Sequence, residues 1–197
     1  MIVLGLTGSI GMGKSAVAAM FNELGIPGHN SDVAVHAALA PGGAAASAVA
    51  AEFPEALLAG AIDRAALGKI VFADENARRK LEGILHPLVR EAEKEFIKEA
   101  QDKGLRAVVL DIPLLYETGA EAYCDKVVCV DAPYEIQRER VLARPGMTPE
   151  KFEAILASQL PSAEKCARAD YVVQTGGDKA VTMAQVQKIA NEILGYA

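Results

Sequence analysis

The fold of this 197-residue chain is decided by residues 2–15, which read IVLGLTGSIGMGKS. The first part, up to Thr7, is an apolar run rich in β-branched residues, which is typical of a buried strand. The rest matches the motif G-x-x-x-x-G-K-[ST] in full. Apolar residues then recur at helical spacing from Lys14 to Leu24, and Gly25 stands where a helix ends. A strand, a glycine-rich loop and a helix in this order predict a loop that binds phosphate groups.

The residue types in this loop suit a nucleoside triphosphate and its magnesium ion. Glycines let the backbone wrap with its N–H groups pointing inward, and the following helix adds partial positive charge. In this motif Lys14 reaches the β- and γ-phosphates, and the hydroxyl of Ser15 binds Mg²⁺. A flexible glycine turn beside a surface lysine is the alternative interpretation. The predicted nucleotide-binding residues are Gly8, Gly11, Met12, Gly13, Lys14, Ser15 and Ala16.

Further apolar runs, separated by helical stretches, predict a parallel sheet. Strands are expected near residues 26–29 and over residues 107–110, 126–130 and 171–173. Strands joined through helices form crossover units, and the resulting sheet is covered on both faces. We therefore predict a three-layered α/β fold. One domain is expected over residues 1–197, with a core of about 1–31, 106–135 and 169–197, a helical insert of about 32–105 and a second helical insert of about 136–168.

Capping residues and prolines place the helices, and the first insert shows no strand signal. In it, Asp63 and Asp74 are predicted N-caps, and Pro87 is predicted to begin a helix that ends at Gly104. Residues 44–51 are rich in alanine and favour a helix. The second insert is a candidate for a mobile lid. Its helical pattern is interrupted at Arg144-Pro145-Gly146, and a new helix is predicted with Thr148 as N-cap and Pro149 as first residue. A last helix is predicted from the N-cap Asp178 to Leu194, with Val181, Met183, Val186, Ile189 and Ile193 facing the core.

Composition and charge exclude several kinds of protein. Hydrophobic residues make up 51% of the chain and mean hydropathy is +0.18, so a folded globular protein is expected. The net charge of −6 argues against a nucleic-acid partner, which requires a basic face. No apolar run is long enough for a membrane span, and the N-terminus lacks a signal-peptide pattern, so we expect a cytoplasmic protein without a membrane partner. The three cysteines lack metal-ligand spacing and are expected to be free thiols.

Other sequence patterns help to distinguish among the classes of protein that carry a phosphate loop. The D-x-x-G and N-K-x-D patterns typical of switch GTPases do not occur in the sequence. Motor and transporter ATPases usually place a glutamate after the aspartate that ends an apolar strand, whereas Asp111 is followed by Ile112-Pro113. These observations favour transfer of phosphate to an acceptor.

Two aspartates at predicted strand ends are candidates for the chemistry. Asp32 follows the short second strand, and ligands of parallel sheets collect outside the carboxyl ends of strands. One interpretation makes its carboxylate the acceptor of a proton from an attacking hydroxyl. The other makes it the N-cap of the next helix. Asp111 either holds a water bound to Mg²⁺ or caps the end of its strand.

Arginines in the second insert are candidates for charge stabilisation. Arg140 and Arg144 stand four residues apart, which predicts one helix face. Beside a phosphate loop, two guanidinium groups would clamp the charge that develops on the transferring phosphoryl group. The alternative is a solvated face on which they pair with Glu135 and Glu139. Arg138 lies close by, and Lys165 and Arg168 are weaker candidates for the same anionic pocket. His86 either contacts a substrate phosphate or hydrogen-bonds the backbone at a helix start.

Together these motifs resemble the dephospho-coenzyme A kinase family over nearly the whole chain. The resemblance begins with the phosphate loop and with Leu24-Gly25-Ile26, which leads to Asp32. Their order and spacing go well beyond a shared phosphate loop. The further matching segments are Ile62-Asp63-Arg64, Ile70-Val71-Phe72, Leu85-His86-Pro87, Pro113-Leu114-Leu115-Tyr116-Glu117, Arg140, Arg144, Gln159-Leu160-Pro161, Glu164-Lys165 and Ala167-Arg168-Ala169-Asp170.

The resemblance implies a P-loop kinase fold and transfer of phosphate from ATP, with Mg²⁺, to the ribose 3′-hydroxyl of dephospho-CoA. It implies that Asp32 is the catalytic base, that residues 32–105 bind dephospho-CoA and that residues 136–168 form a lid over ATP. With the residue-based candidates added, the predicted catalytic set is Asp32, Lys14, Arg140 and Arg144. Ser15 and, through water, Asp111 are the predicted magnesium ligands.

Some positions depart from the family pattern. Asn30-Ser31-Asp32 stands where the family usually has Asp-Ala-Asp, and Ala16 stands where it has threonine. Gln174-Thr175-Gly176-Gly177 replaces an Asn-x-Gly pattern near the adenine, so we expect backbone groups to contact the base. Two other hypotheses stay open: a related kinase of another hydroxyl acceptor such as a nucleoside, and a nucleotide-dependent regulatory protein that transfers no phosphate.

Overall fold

The computed structural model describes residues 1–195, so the last two residues of the predicted core lie outside the described part. The strands are β1 Ile2–Thr7, β2 Gly28–Asn30, β3 Leu57–Leu58, β4 Ala61–Ile62, β5 Ala107–Asp111, β6 Lys126–Asp131 and β7 Tyr171–Gln174. The α-helices are α1 Lys14–Glu23, α2 Ser31–Leu39, α3 Ala46–Glu52, α4 Arg64–Ala73, α5 Glu75–Asp102, α6 Tyr134–Leu142, α7 Pro149–Ala157, α8 Ser162–Arg168 and α9 Lys179–Leu194. No helix among these is both long and apolar enough to cross a lipid bilayer.

The chain divides into two compact units. The first consists of residues 1–29 together with the described residues from 99 onward, and the second consists of residues 30–98. The second unit begins two residues before the region predicted as the first helical insert and ends seven residues before that region does. The division into one domain with two inserts stays a prediction.

The first unit is built on a five-stranded sheet in the order β2-β5-β1-β6-β7. The pairings of β1 with β5, of β1 with β6 and of β6 with β7 are parallel. In register, Leu4 lies opposite Val109 of β5, and Leu6 lies opposite Val128 of β6. The predicted parallel sheet is confirmed, and the strand that leads into the glycine-rich loop is its central strand.

Side-chain alternation along β1 gives the sheet two covered faces. Leu4 and Leu6 are fully buried in a cluster that includes Phe21 of α1 and Val186 of α9. On the other face, Cys129 of β6 lies 3.5 Å from the sulfur of a cysteine in α8. The sheet therefore lies between two helical layers, as predicted.

The predicted α9 begins and ends where expected, with two local differences. Asp178 occupies the N-cap position, but its side chain makes no capping hydrogen bond. Val181, predicted to face the core, is 59% exposed. It lies in the first turn of the helix, before the apolar side meets the sheet at Val186. In the second insert, the predicted cap is confirmed, since the Thr148 hydroxyl accepts from the N–H of Lys151 at 3.3 Å.

The second unit has its own core, formed by helices and a small hairpin. Buried side chains of α2, α3, α4 and α5 and of the segments that flank α3 make one cluster, which consists of Leu39, Ala45, Val49, Phe53, Ala56, Leu67, Ala77 and Leu85. The prediction of no strand in this region is wrong, because β3 and β4 form an antiparallel pair. Each strand has two residues, too few for an alternating pattern, and the turn between them places Ala59 at φ 50°.

The helix predicted to begin at Pro87 begins twelve residues earlier. The proline lies inside α5, whose start is capped by Asp74 through the N–H of Asn76 at 2.8 Å. Proline removes one helical hydrogen bond and strains the preceding turn. The apolar side of α5 packs on both sides of it, with Leu85 buried and Leu88 partly buried. This packing explains why the helix continues.

Candidate active site

The glycine-rich loop leaves the central strand and turns directly into α1. Gly11 and Gly13 have φ values of 80° and 87°, a conformation that other residues rarely adopt. The N–H of Met12 donates to the carbonyl of Ser9 at 3.2 Å, and the N–H of Ala16 donates to that of Gly13 at 3.0 Å. The loop is thus a tight turn that ends on a helix N-terminus, where unpaired N–H groups favour an anion.

Close packing around the loop gives a second reason for its glycines. A Cβ atom on Gly11 would lie 2.5 Å from a methyl carbon of Val141. A Cβ atom on Gly13 would lie 3.0 Å from the hydroxyl oxygen of Thr175. The loop is therefore held between α6 and the residue that follows β7.

Lys14 is the first residue of α1, and its ammonium group forms an ion pair with the carboxylate of Asp111. Asp111 ends β5, next to the central strand, and is 3% exposed. A carboxylate at this strand end is thus tied to the lysine of the loop. Ser15 and Ala16 follow in the first turn of α1 and are exposed. The metal-binding roles of Ser15 and Asp111 stay predictions.

Arg140 is connected to the loop through Thr175. Its guanidinium donates to the Thr175 hydroxyl at 3.0 Å and to the Thr175 carbonyl at 2.6 Å. The same hydroxyl donates to the carbonyl of Met12 at 2.6 Å. These hydrogen bonds connect Arg140, through Thr175, to Met12 of the phosphate loop. Within residues 1–195, Arg140 forms no ion pair with a glutamate of its own helix. Thr175 belongs to the segment that sequence reasoning linked only to adenine.

The prediction that Arg144 shares a helix face with Arg140 is wrong. α6 ends at Leu142, and Ala143 is its C-cap. Pro145 follows Arg144, and the residue before a proline is disfavoured in a helical conformation. Arg144 is exposed, and within residues 1–195 its guanidinium makes no hydrogen bond or ion pair.

Two glutamines that contact the loop were missed as site residues. The amide nitrogen of Gln137 donates to the carbonyl of Ile10 at 2.7 Å. The N–H of Ile10 donates to the amide oxygen of Gln159 at 3.1 Å. The local sequence around Gln137 gives no sign of this contact, whereas Gln159 lies in one of the motifs that carry the family resemblance.

The weaker cationic candidates Lys165 and Arg168 are paired with carboxylates. Lys165 is fully buried, and its ammonium lies 2.7 Å from Glu117. Arg168 lies 2.7 Å from Glu121 and stacks over the ring of Tyr116 at 4.2 Å. Burial raises the pKa of Tyr116 to about 12. Because Lys165 is fully buried, it is shielded from any anion that enters from solvent.

Asp32 belongs to the second unit, where it is the second residue of α2. The helix is capped by Asn30, whose side-chain oxygen accepts from the N–H of Val33 at 3.0 Å, so the N-cap interpretation of Asp32 is wrong. Asparagine and aspartate cap helices about equally well, so Asn30 fills the capping role that an aspartate at this position would also fill. The Asp32 carboxylate is exposed and makes no hydrogen bond with residues 1–195.

Two histidines of the second unit differ in their surroundings. His36 lies one turn after Asp32 and contacts the guanidinium of Arg64. His86 is exposed in the middle of α5, so its predicted place at a helix start is wrong. The reason is the continuation of α5 through Pro87.

The sheet order, the loop between β1 and α1, and the lysine-aspartate pair define a P-loop nucleotide-binding protein of the kinase class. A Thermus thermophilus protein of known crystal structure is similar to this chain, with 34% sequence identity and a TM-score of 0.89. The similarity covers 98% of this chain and 97% of that one. Dephospho-CoA kinase from Campylobacter jejuni is 28% identical, with a TM-score of 0.71, over 97% of this chain and 96% of that one.

Sequence comparison gives the particular family. The model of the dephospho-CoA kinase family matches residues 2–180. Dephospho-CoA kinase from Mesorhizobium japonicum is 51% identical over 99% of this chain and 98% of that protein. The chain belongs to the dephospho-CoA kinase family, as its motifs indicated.

Proposed function

We propose that this protein transfers the γ-phosphoryl group of ATP to the ribose 3′-hydroxyl of dephospho-CoA, which gives coenzyme A and ADP, the last step of coenzyme A biosynthesis. The observation that carries the proposal is the phosphate loop on the central strand of a chain that matches the dephospho-CoA kinase family along residues 2–180. In the reaction, a bond forms between the 3′-oxygen and the γ-phosphorus. The bond from that phosphorus to the β–γ bridging oxygen breaks, and ADP leaves with the electron pair.

On the nucleotide side, the loop N–H groups and the helix N-terminus would bind the phosphates, as loops of this type do. Lys14 would exchange its ion pair with Asp111 for contacts to the β- and γ-phosphates. Arg140, oriented by Thr175, would neutralise charge on the transferring group, and Arg144, whose guanidinium has no partner within residues 1–195, would add to it.

The donor set fits a magnesium ion that arrives with the nucleotide. Within residues 1–195, no group of three or more His, Cys, Asp and Glu side chains is able to hold a metal ion. Mg²⁺ commonly takes one or two protein oxygens and completes its shell with phosphates and water. The Ser15 hydroxyl and the Asp111 carboxylate supply oxygens of this kind. When bound, the ion would neutralise phosphate charge.

On the acceptor side, Asp32 would accept the proton of the 3′-hydroxyl as that oxygen attacks. Its exposed carboxylate has no competing hydrogen bond with residues 1–195. Residues 32–105 would bind dephospho-CoA, and residues 136–168 would close over ATP. With ATP as co-substrate and free cysteines, the cytoplasm is the proposed location.

The test is ADP release by the purified protein with Mg-ATP, measured with and without dephospho-CoA. Mass spectrometry of the acceptor would detect the gain of one phosphate group. Acceptor-dependent ADP release with formation of coenzyme A is the expected result. ATP binding without an effect of dephospho-CoA would refute the proposal, and a panel of nucleosides would then identify another acceptor.

The role of Asp32 is tested by Asp32→Asn, with Asp102→Asn at the exposed end of α5 as the matched control. Loss of the base should lower kcat by about 10² to 10⁴-fold, because positioned proton transfer contributes that much. The affinity for ATP should not change. An unimpaired turnover number in Asp32→Asn would remove this residue from the role of base.

A further inference from the structure

Two side chains of the segment 136–168, the predicted lid, hydrogen-bond to one residue of the phosphate loop. Near its start, the amide nitrogen of Gln137 donates to the carbonyl of Ile10 at 2.7 Å. Between α7 and α8, the amide oxygen of Gln159 accepts from the N–H of Ile10 at 3.1 Å. Both polar groups of Ile10 are therefore occupied by side chains from the predicted lid.

These hydrogen bonds fix two consecutive peptide planes. The Ile10 N–H belongs to the peptide that joins it to Ser9, and the Ile10 carbonyl belongs to the peptide that joins it to Gly11. Gly11 has φ 80°, and glycine permits a wide range of backbone conformations, so the Ile10–Gly11 peptide plane has little intrinsic resistance to rotation. The Ser9–Ile10 plane lies between two residues with side chains, and its N–H has Gln159 as its partner. The directions of the two planes decide where the neighbouring N–H groups point. The two glutamines thus help to fix the directions of both peptides.

The two glutamines differ in how firmly they are held. Gln137 lies in α6 and is 3% exposed, so its amide belongs to the permanent packing. Gln159 lies in the short turn between α7 and α8 and is partly exposed. The contact of Gln159 with Ile10 is the one that movement of the predicted lid would change.

The backbone next to Gln159 is anchored independently. The N–H of Leu160 donates to Glu117 at 2.9 Å, and the same carboxylate is paired with the buried ammonium of Lys165 at 2.7 Å. Lys165 also donates to the carbonyl of Pro113 at 3.3 Å, in the segment that follows β5. The turn that carries Gln159 is therefore tied both to the phosphate loop and to the end of the strand that supplies Asp111.

We propose that Gln159 is a positioning residue that holds the Ser9–Ile10 peptide and couples the predicted lid to the phosphate loop. The role rests on the proposed phosphoryl transfer. Gln159 acts through the loop backbone, with its side-chain oxygen as the acceptor. Removal of that oxygen weakens the hold on this peptide, whose Ser9 carbonyl still accepts from the Met12 N–H at 3.2 Å, and the N–H groups that surround the phosphates lose part of their alignment.

The experiment compares Gln159→Met, Gln159→Glu and the wild-type protein in steady-state kinetics with ATP and dephospho-CoA. Methionine has nearly the same length and no oxygen, so kcat/KM for ATP should fall about 3- to 10-fold, the effect of one neutral hydrogen bond. The KM for dephospho-CoA should stay within about twofold of wild type, since the contact lies on the nucleotide side. The control is Gln187→Met on α9, where the amide nitrogen donates a hydrogen bond to Asn191 at 2.8 Å, on a helix that carries no part of the phosphate loop.

Glutamate retains an acceptor oxygen and adds negative charge. Gln159→Glu should therefore keep kcat near the wild-type value while the KM for ATP rises through repulsion of the triphosphate. This split separates positioning from general stability, because a merely structural role would move the melting temperature of both variants without separating kcat from KM.

Three outcomes would overturn the inference. One is kinetics of Gln159→Met within about twofold of wild type. Another is an equal loss of kcat in both variants, because the acceptor oxygen would then be irrelevant. The third is a lower melting temperature with unchanged kinetics per folded molecule. If the wild-type protein forms no coenzyme A, the proposed function fails; affinity for a fluorescent ATP analogue would then test Gln159, and equal affinity in Gln159→Met would refute its role.

Discussion

Replacement of Lys165 by methionine should destabilise the first unit strongly. The ammonium group of Lys165 is fully buried, 2.7 Å from the Glu117 carboxylate. Methionine fills a similar volume but leaves the carboxylate without its cation. Glu117 keeps one hydrogen bond from Leu160, while its other oxygen is buried and has no hydrogen bond within residues 1–195. The variant therefore retains a largely buried and uncompensated charge.

The size of the effect follows from this burial. Loss of one partner of a buried ion pair costs about 3–5 kcal/mol. Glu117 is 17% exposed, so water relieves part of the penalty and the lower end, about 3 kcal/mol, applies. For a chain of this length each kcal/mol shifts the melting temperature by about 2–4 °C. We expect Lys165→Met to melt about 6–12 °C below wild type.

Thermal unfolding followed by far-ultraviolet circular dichroism measures this shift. The double variant Lys165→Met/Glu117→Gln should recover part of it, because the unpaired charge is gone and an acceptor for Leu160 remains. Lys103→Met is the control, since Lys103 forms an exposed pair with Glu99 at 3.4 Å and should shift the melting temperature by about 1 °C or less. A shift under about 2 °C in Lys165→Met, or no recovery in the double variant, would refute the reasoning.

Three further variants address the phosphate loop. Lys14→Ala should lower kcat/KM for ATP by about 10²- to 10³-fold through loss of charge at the phosphates, and steady-state kinetics retaining a tenth of wild-type activity would contradict that role. Arg140→Ala should lower kcat by about 10²-fold and also reduce the melting temperature, because Thr175 loses two hydrogen bonds; unchanged turnover would leave only the structural effect. Gly11→Ala should lower the unfolding free energy by about 2 kcal/mol in denaturant titrations, because φ is 80° and the new Cβ would lie 2.5 Å from Val141, and stability equal to wild type would show that the loop relaxes.

The strands of the parallel sheet were predictable because a buried strand in such a sheet is a nearly continuous apolar run. Residues 107–111 and 126–131 are runs of this kind, and each ends in an aspartate at the edge of the core. The two-residue strands of the hairpin around Ala59 have no such pattern. Pro87 was misleading because a proline signals a helix start or a helix break locally, whereas the packing of Leu85 and Leu88 carries α5 through it.

The candidate site divides in a similar way. The phosphate loop was predictable because its chemistry lies in contiguous residues. The loop is also contacted by three residues that lie more than a hundred positions away in the sequence, Thr175, Gln137 and Gln159. Only the fold brings them to the loop. Uncharged amides and hydroxyls also occur widely on surfaces, so their sequence signal is weak. The position of Arg144 outside α6 depended on where the helix ends, which spacing alone does not specify.

The central place of β1 also determines which parts of the protein exchange their amide protons slowly. β1 is hydrogen-bonded on both sides, and Leu4 and Leu6 are fully buried. In deuterium, protons of such a strand exchange only when the whole unit unfolds, while an exposed helix such as α7 exchanges through smaller openings. The nucleotide-binding loop therefore begins at one of the slowest-exchanging segments of the chain, and α7 can open and reclose many times before that strand is disturbed.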